Sequence, residues 1–314
     1  MRCNSFRVAS SSQHAFTQGF KANPGLELAN AFSVVRSSHR AEALWYRPHT
    51  NFKHITDAAQ TARRFTIYHS PFTIYLMCGR FTLRSIDRLK ARFTSPLWSE
   101  FSGLPALAAR YNIAPTQEVL TVTGSQKDAE LRLMTWGLIP SWSSEPTGFI
   151  NARAETLESR RSFSESFAKR RCLVPADGFY EWRRNGKSKQ PYYFQLKDEM
   201  PFAFAAIWDQ WRDFKADSGS GRVSIASCSI ITTKPNELLA TIHDRMPVIL
   251  PAEAYDVWLR EESRPEELKE WLAPFPADEM KSFPVSQRVN SSKVEDAELV
   301  DPVEVEEAAQ GMLF

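Results

Sequence analysis

From residue 77 onward the apolar positions fall into strand-like runs at 119–123, 131–138, 192–196, 202–208 and 224–233, rich in β-branched and aromatic residues and separated by Gly, Asn, Asp and Pro. Each run predicts a strand. Ser85 can cap a helix that carries Ile86, Leu89 and Phe93 on one face and Arg88, Lys90 and Arg92 largely on the other. Shorter helices are predicted at 236–242, 252–259 and 265–272. No regular crossover helices interleave the strands, so the pattern predicts an α+β domain with a curved, mainly antiparallel sheet rather than a doubly wound parallel one.

The pattern changes at both ends. Residues 1–76 show little sustained periodicity, hold nine basic against three acidic residues (Glu27, Glu42, Asp57), and contain five of the six histidines. They read as a non-domain leader or a mis-assigned translation start, with the working protein beginning at Met77-Cys78. Residues 294–314 carry seven acids and no base, which predicts a solvated acidic tail. The domain is therefore expected to span 77–293.

With 314 residues, 43% of them hydrophobic, the chain can bury a sizeable core. Four widely spaced cysteines (Cys3, Cys78, Cys172, Cys228) suit neither a disulfide scaffold nor a zinc ribbon, and no metal or other cofactor is expected. The longest uncharged apolar stretch, 72–78, is far below the ~20 residues that span a bilayer, so no membrane association is expected. No P-loop, G-x-G-x-x-G or H-E-x-x-H motif occurs.

Several residues can carry chemistry. His243 is the single histidine after Met77, flanked by charges that can tune a general acid or base, although a structural hydrogen bond is an equal reading. Asn151, Arg153 and Glu155 would share one face of an extended segment, either as a site or as an exposed strand face. Glu181 lies between Tyr180 and Trp182, where desolvation would raise a carboxyl pKa; the alternative is a pair with Arg183 or Arg184 at a turn. Interleaved basic and aromatic residues, among them Arg80, Arg110, Trp136, Trp142, Arg153, Arg171 and Arg245, are compatible with a groove for single-stranded nucleic acid. Cys78 becomes N-terminal if translation starts at Met77 and that methionine is removed. Its α-amine, of pKa about 7.7 to 8.0, and its thiol would then form a 1,2-aminothiol that closes on an aldehyde as a thiazolidine.

Seven ordered motifs resemble one family: Met77-Cys78-Gly79-Arg80-Phe81, Tyr111-Asn112-Ile113-Ala114-Pro115-Thr116, Trp136-Gly137-Leu138-Ile139-Pro140, Asn151-Ala152-Arg153-Ala154-Glu155, Ala176-Asp177-Gly178-Phe179-Tyr180-Glu181-Trp182, Ile242-His243-Asp244-Arg245-Met246-Pro247 and Pro284-Val285-Ser286. Together they resemble SRAP proteins (SOS response-associated peptidase), of the kind that crosslinks to abasic DNA. The resemblance implies a single α+β domain with barrel-like sheets, short flanking helices and a channel for single-stranded DNA. It implies Cys78 as nucleophile, Asn151 orienting the N-terminal residue and the sugar, Glu181 moving protons, and His243 protonating the sugar ring oxygen. It assigns Arg80, Arg153 and Arg245 to phosphates, Pro115 and Trp142 to bases beside the lesion, and Thr232 to the neighbourhood of the active site.

An internal Cys78 has an amide nitrogen, so this chemistry requires that the leader be absent or be removed by the peptidase activity that gives the family its name. Two other classes remain open: a cysteine peptidase using Cys78 and His243, and a non-covalent single-stranded DNA-binding module. Gln310, Leu313 and Phe314 fit a Q-x-x-L-F peptide for a sliding clamp on an acidic tether. A monomer is expected, and in a bacterium a cytoplasmic, nucleoid-associated one.

Overall fold

A computed structural model describes residues 79–92, 108–124, 129–186, 188–213 and 223–305. Cys78, the expected leader, and Gln310, Leu313 and Phe314 lie outside the described residues. In chain order the first half runs β1 (Phe81–Leu83), α1 (Ile86–Arg92), β2 (Arg110–Ile113), β3 (Glu118–Thr123), β4 (Glu130–Trp136), β5 (Asn151–Arg153), α2 (Ser164–Lys169), β6 (Arg171–Ala176) and β7 (Gly178–Asn185). It continues with β8 (Ser188–Leu196), β9 (Phe202–Arg212), β10 (Ser224–Thr233), α3 (Glu237–Ala240), β11 (Met246–Pro247), β12 (Ile249–Leu250), α4 (Tyr255–Leu259), α5 (Pro265–Glu270) and β13 (Met280–Pro284).

The strands form two sheets. One is antiparallel throughout, in the order β13-β8-β7-β1-β2. In the other, β10, β4, β3, β6 and β9 pair in turn, and β9 returns to pair with β10, closing a five-stranded barrel. Only the contacts of β10 with β4 and β5 are parallel among these pairings. The α+β class and the curved, mainly antiparallel sheets are therefore as the pattern implies. Among the described residues, no helix is long and apolar enough to cross a membrane.

Aromatic rings join the two sheets. Phe81 of β1 meets Trp136 and Phe204 edge-on, with centroids 5.2 and 5.8 Å away, and Phe179 of β7 stacks on Phe194 and also meets Phe204. Because side chains alternate along a strand, Tyr180 and Trp182 point to the other face of β7. There they join Tyr193, Val285, Val289, Leu299 and Val300 in a second apolar cluster. Gly178 lets this layer close, since a Cβ there would fall 2.0 Å from the Tyr193 hydroxyl.

The expected solvated tail is different up to Val305. Leu299 is fully buried, Val303 donates to the Pro284 carbonyl at 2.9 Å, and Val285 bridges to Pro302. Three of its acids bind protein donors: Glu295 accepts the backbone N–H groups of Tyr111 and Asn112, and Arg288 pairs with Asp296 and Glu298. An acidic composition without bases concealed these partners because they lie elsewhere in the chain.

Two residues of the expected groove are also placed differently. Trp136 is fully buried, and Arg171 is 4% exposed. The Arg171 guanidinium donates to the carbonyls of Trp258, Phe167 and Ala168 at 2.7, 2.8 and 2.6 Å, closing the ends of α2 and α4.

Candidate active site and nucleic-acid interface

The β1–β7 register pairs Phe81 with Phe179 and Thr82 with Gly178, and one step earlier Tyr180 donates its N–H to the Arg80 carbonyl at 3.0 Å. Read one residue further, this register faces Gly79 to Glu181. Glu181 is 1% exposed, on the same face of β7 as Phe179. The rings beside it in sequence, Tyr180 and Trp182, are therefore not what buries it; strand alternation sends them to the opposite face.

Arg80 is committed to its own domain. One guanidinium nitrogen donates at 2.7 Å both to Asn112 Oδ1 and to the Val289 carbonyl, the group sits 6.0 Å from the Trp182 ring, and its Nε has no partner among the described residues. Desolvation lowers its pKa from the ordinary arginine value.

A second set of residues gathers on β10. Its parallel pairing with β5 sets Asn151 opposite Ile230 and Arg153 opposite Thr232. The strand ends at Arg153 and a 3-10 turn, Ala154–Thr156, follows, so Glu155 leaves the strand face that the spacing implied. Instead it takes Arg245 in a bidentate pair at 2.6 and 2.8 Å, while Arg245 also donates to the Thr232 carbonyl at 2.6 Å. The hydrogen bonds from Arg245, opposed by desolvation, hold the Glu155 carboxyl below its usual range. Thr232 is fully buried behind this pair, whereas Arg153 is exposed.

His243 follows α3 and donates its backbone N–H to the Leu239 carbonyl at 2.9 Å. Its Nδ1 accepts the Arg245 N–H at 3.1 Å, which selects the neutral tautomer with hydrogen on Nε2. An Asp244 carboxylate oxygen lies 3.0 Å from the same nitrogen and favours the protonated ring instead. Burial is the larger influence and pushes the imidazole below its ordinary value. The charge of Arg184, on β7, acts in the same direction.

Trp142 is half exposed on a loop fixed by hydrogen bonds from Ile139 N–H to Ser227 Oγ and from Ser141 N–H to Asp209 Oδ2, at 2.9 and 2.8 Å. The Arg161 guanidinium lies 4.4 Å from the Trp142 ring centroid. Pro115, partly buried, precedes Thr116, whose φ of 73° turns the chain toward β3. Arg161 was not among the expected residues; its only sequence signal is the Arg160-Arg161 doublet.

Residues 77–292 match the family model described as SOS response associated peptidase (SRAP). The chain belongs to the SRAP family. It is 41% identical over 231 residues to the abasic site processing protein YoqW of Bacillus subtilis, covering 72% of this chain and 99% of that one. The abasic site processing protein YedK of Escherichia coli is 32% identical, covering 72% of this chain and all of its own length. HMCES of Xenopus tropicalis, also called an abasic site processing protein, is 34% identical over 58% of this chain and 63% of its own. A crystal structure of a protein from Bacteroides thetaiotaomicron superimposes with a TM-score of 0.60 at 28% identity, covering 72% of this chain and all of that one.

Within this SRAP domain, six of the seven sequence motifs lie wholly among the described residues. Three of them build one edge of the barrel: Trp136 ends β4, Asn151 begins β5, and the His243–Arg245 loop leads into β11. Two others, on β2 and β7, build the facing sheet, which the sixth, at Pro284-Val285-Ser286, joins at the end of β13.

Proposed function

We propose that this protein processes abasic sites in single-stranded DNA by capturing the sugar aldehyde on Cys78. The amine of an N-terminal Cys78 condenses with the aldehyde, losing one water to give an imine. The thiol then adds across the C=N bond, sulfur to carbon and proton to nitrogen, closing a thiazolidine. The observation that carries this reading is the β1–β7 register. Continued one residue past the Tyr180–Arg80 hydrogen bond, it sets the backbone of Gly79, the residue bonded to Cys78, opposite that of Glu181, whose side chain is buried. The names of the relatives, as abasic site processing proteins, support the same substrate.

In this reading Glu181 carries protons for the condensation, Asn151 orients the reactants, and His243 acts on the sugar ring oxygen. Arg153 is exposed for phosphates, and Arg245 reaches one by releasing Glu155. Trp142, with Arg161 on its ring, offers a stacking surface to a base. Exposure of the Cys78 amine follows from initiation at Met77 or from self-cleavage. The domain acts as a monomer, in a bacterial host in the cytoplasm, and Gln310, Leu313 and Phe314 dock on a sliding clamp.

The test is incubation of the protein beginning at Cys78 with single-stranded DNA holding one abasic site, followed by denaturing electrophoresis. A covalent adduct that Cys78→Ala abolishes is the expected result; an undiminished adduct in that variant overturns the reading.

A further inference from the structure

Asn112 is fully buried on β2, and its side chain is saturated with hydrogen bonds. Its Oδ1 accepts from Arg80 at 2.7 Å, while Nδ2 donates to the carbonyls of Ser291 and Val294 at 2.9 and 2.8 Å and approaches that of Val289 at 3.4 Å. Arg80 reaches the same Val289 carbonyl directly, at 2.7 Å. From the solvent side Glu295 accepts the backbone N–H of Asn112 at 3.0 Å. The segment 285–305 is further tied to β7, where Trp182 Nε1 donates to Asn290 Oδ1 at 2.7 Å. One amide thus joins the residue two places after Cys78 to a strap some two hundred residues later in the chain.

We propose that Asn112 is a positioning residue for the reacting N-terminal segment, acting through Arg80, whose guanidinium it holds together with the Val289 carbonyl of the strap 285–305. The inference rests on the capture reading given above. Arg80 carries a partly desolvated charge with no carboxylate paired to it among the described residues, so its two neutral acceptors fix both the guanidinium and the backbone that bears it. Holding a nucleophile in its attack position governs the rate of the covalent step more than the affinity for DNA. Loosening this tie therefore slows capture and leaves binding alone.

The experiment compares wild type, Asn112→Ala and Asn112→Asp, each beginning at Cys78, in three measurements. These are the single-turnover capture rate at saturating abasic DNA, the Kd for single-stranded DNA carrying a tetrahydrofuran site that has no aldehyde, and the melting temperature. Asn112→Ala removes every side-chain contact, whereas Asn112→Asp keeps the oxygen that Arg80 needs and loses the donors to the strap. Expected are a capture rate at least about tenfold lower for Asn112→Ala with Kd within about twofold, and a rate nearer wild type for Asn112→Asp despite a lowered melting temperature. A capture rate that simply follows melting temperature through both variants overturns the inference. If Asn112→Ala does not fold, Glu295→Ala, which removes the acceptor of the Asn112 N–H, is read in the same way: slower capture at unchanged Kd supports the tie, and an unchanged rate overturns it. Failure of wild type to form any adduct would instead count against the capture reading itself.

Discussion

Glu155 holds Arg245 by both carboxylate oxygens, and it is the solvent-facing half of the pair, with its side chain 52% exposed against 13% for Arg245. A phosphate approaching Arg245 meets this carboxylate first. Glu155→Gln is therefore expected to tighten binding of single-stranded DNA by about threefold at low salt, since it removes one negative charge that competes for the arginine. Fluorescence anisotropy across a salt series reads this; weaker binding would show that Glu155 instead holds Arg245 in its working position. The depressed Glu155 pKa also favours the folded state above the unfolded carboxyl value and ceases to do so as pH falls through the folded value.

His243 gives a pH dependence of definite sign. Burial depresses its pKa, so the folded protein takes up this proton later than the unfolded chain does. Stability from this group is complete above about pH 6.5 and is lost as pH falls through the lower, folded value. His243→Gln should remove that part of the acid sensitivity in thermal melts. In capture assays, the wild-type rate should fall as pH rises through the lowered His243 value, because the acid must be protonated, and the variant should lack that fall; an identical profile in both would exclude His243 as the acid.

Glu181→Gln keeps the size of a buried side chain and removes its ability to take a proton. Capture and its reversal are each expected to slow by about a hundredfold, measured as adduct formed and adduct lost on denaturing gels. Wild-type rates in both directions would leave the carboxylate with a packing role alone.

Trp142→Ala separates binding from stability. A stacked base contributes about 1 to 3 kcal/mol, so affinity for single-stranded DNA should fall by that amount. A half-exposed ring outside the core should change the unfolding free energy by no more than about 0.5 kcal/mol. A large drop in melting temperature with unchanged affinity would make Trp142 a structural residue.

Gly178→Ala tests the layer behind the site. The added methyl would lie 2.0 Å from the Tyr193 hydroxyl, so β7 or the tyrosine must move, at a cost of about 1 to 3 kcal/mol. Because β7 also carries Glu181, capture should fall together with melting temperature.

Some of this was legible in the chain and some was not. The run at 224–233 coincides with β10, and the run at 202–208 is the first part of β9, because long strands rich in β-branched and aromatic residues announce themselves locally. Residues 171–176 escaped because β6 is buried along its whole length, contains Pro175 and so shows no alternation. The three residues of β1 are too few to form a pattern. The candidate site residues were read from their motifs, but the partners the structure gives them were not legible there. That Arg80 meets Asn112, and Arg245 meets Glu155, follows from tertiary packing between segments 32 and 90 residues apart. Hydropathy reads acids and bases as solvated, and it cannot show that Glu295 and Arg171 are used up by backbone groups.

The most direct measurement takes two purified forms, residues 1–314 and a form initiated at Met77, and incubates each with single-stranded DNA holding one abasic site. Covalent adduct and N-terminal mass are read on the same samples. The expected result is adduct only in molecules whose N-terminal residue is Cys78, with the mass gained equal to the DNA less one water. A protein shown by mass to begin at Cys78 that forms no adduct would contradict the proposed capture.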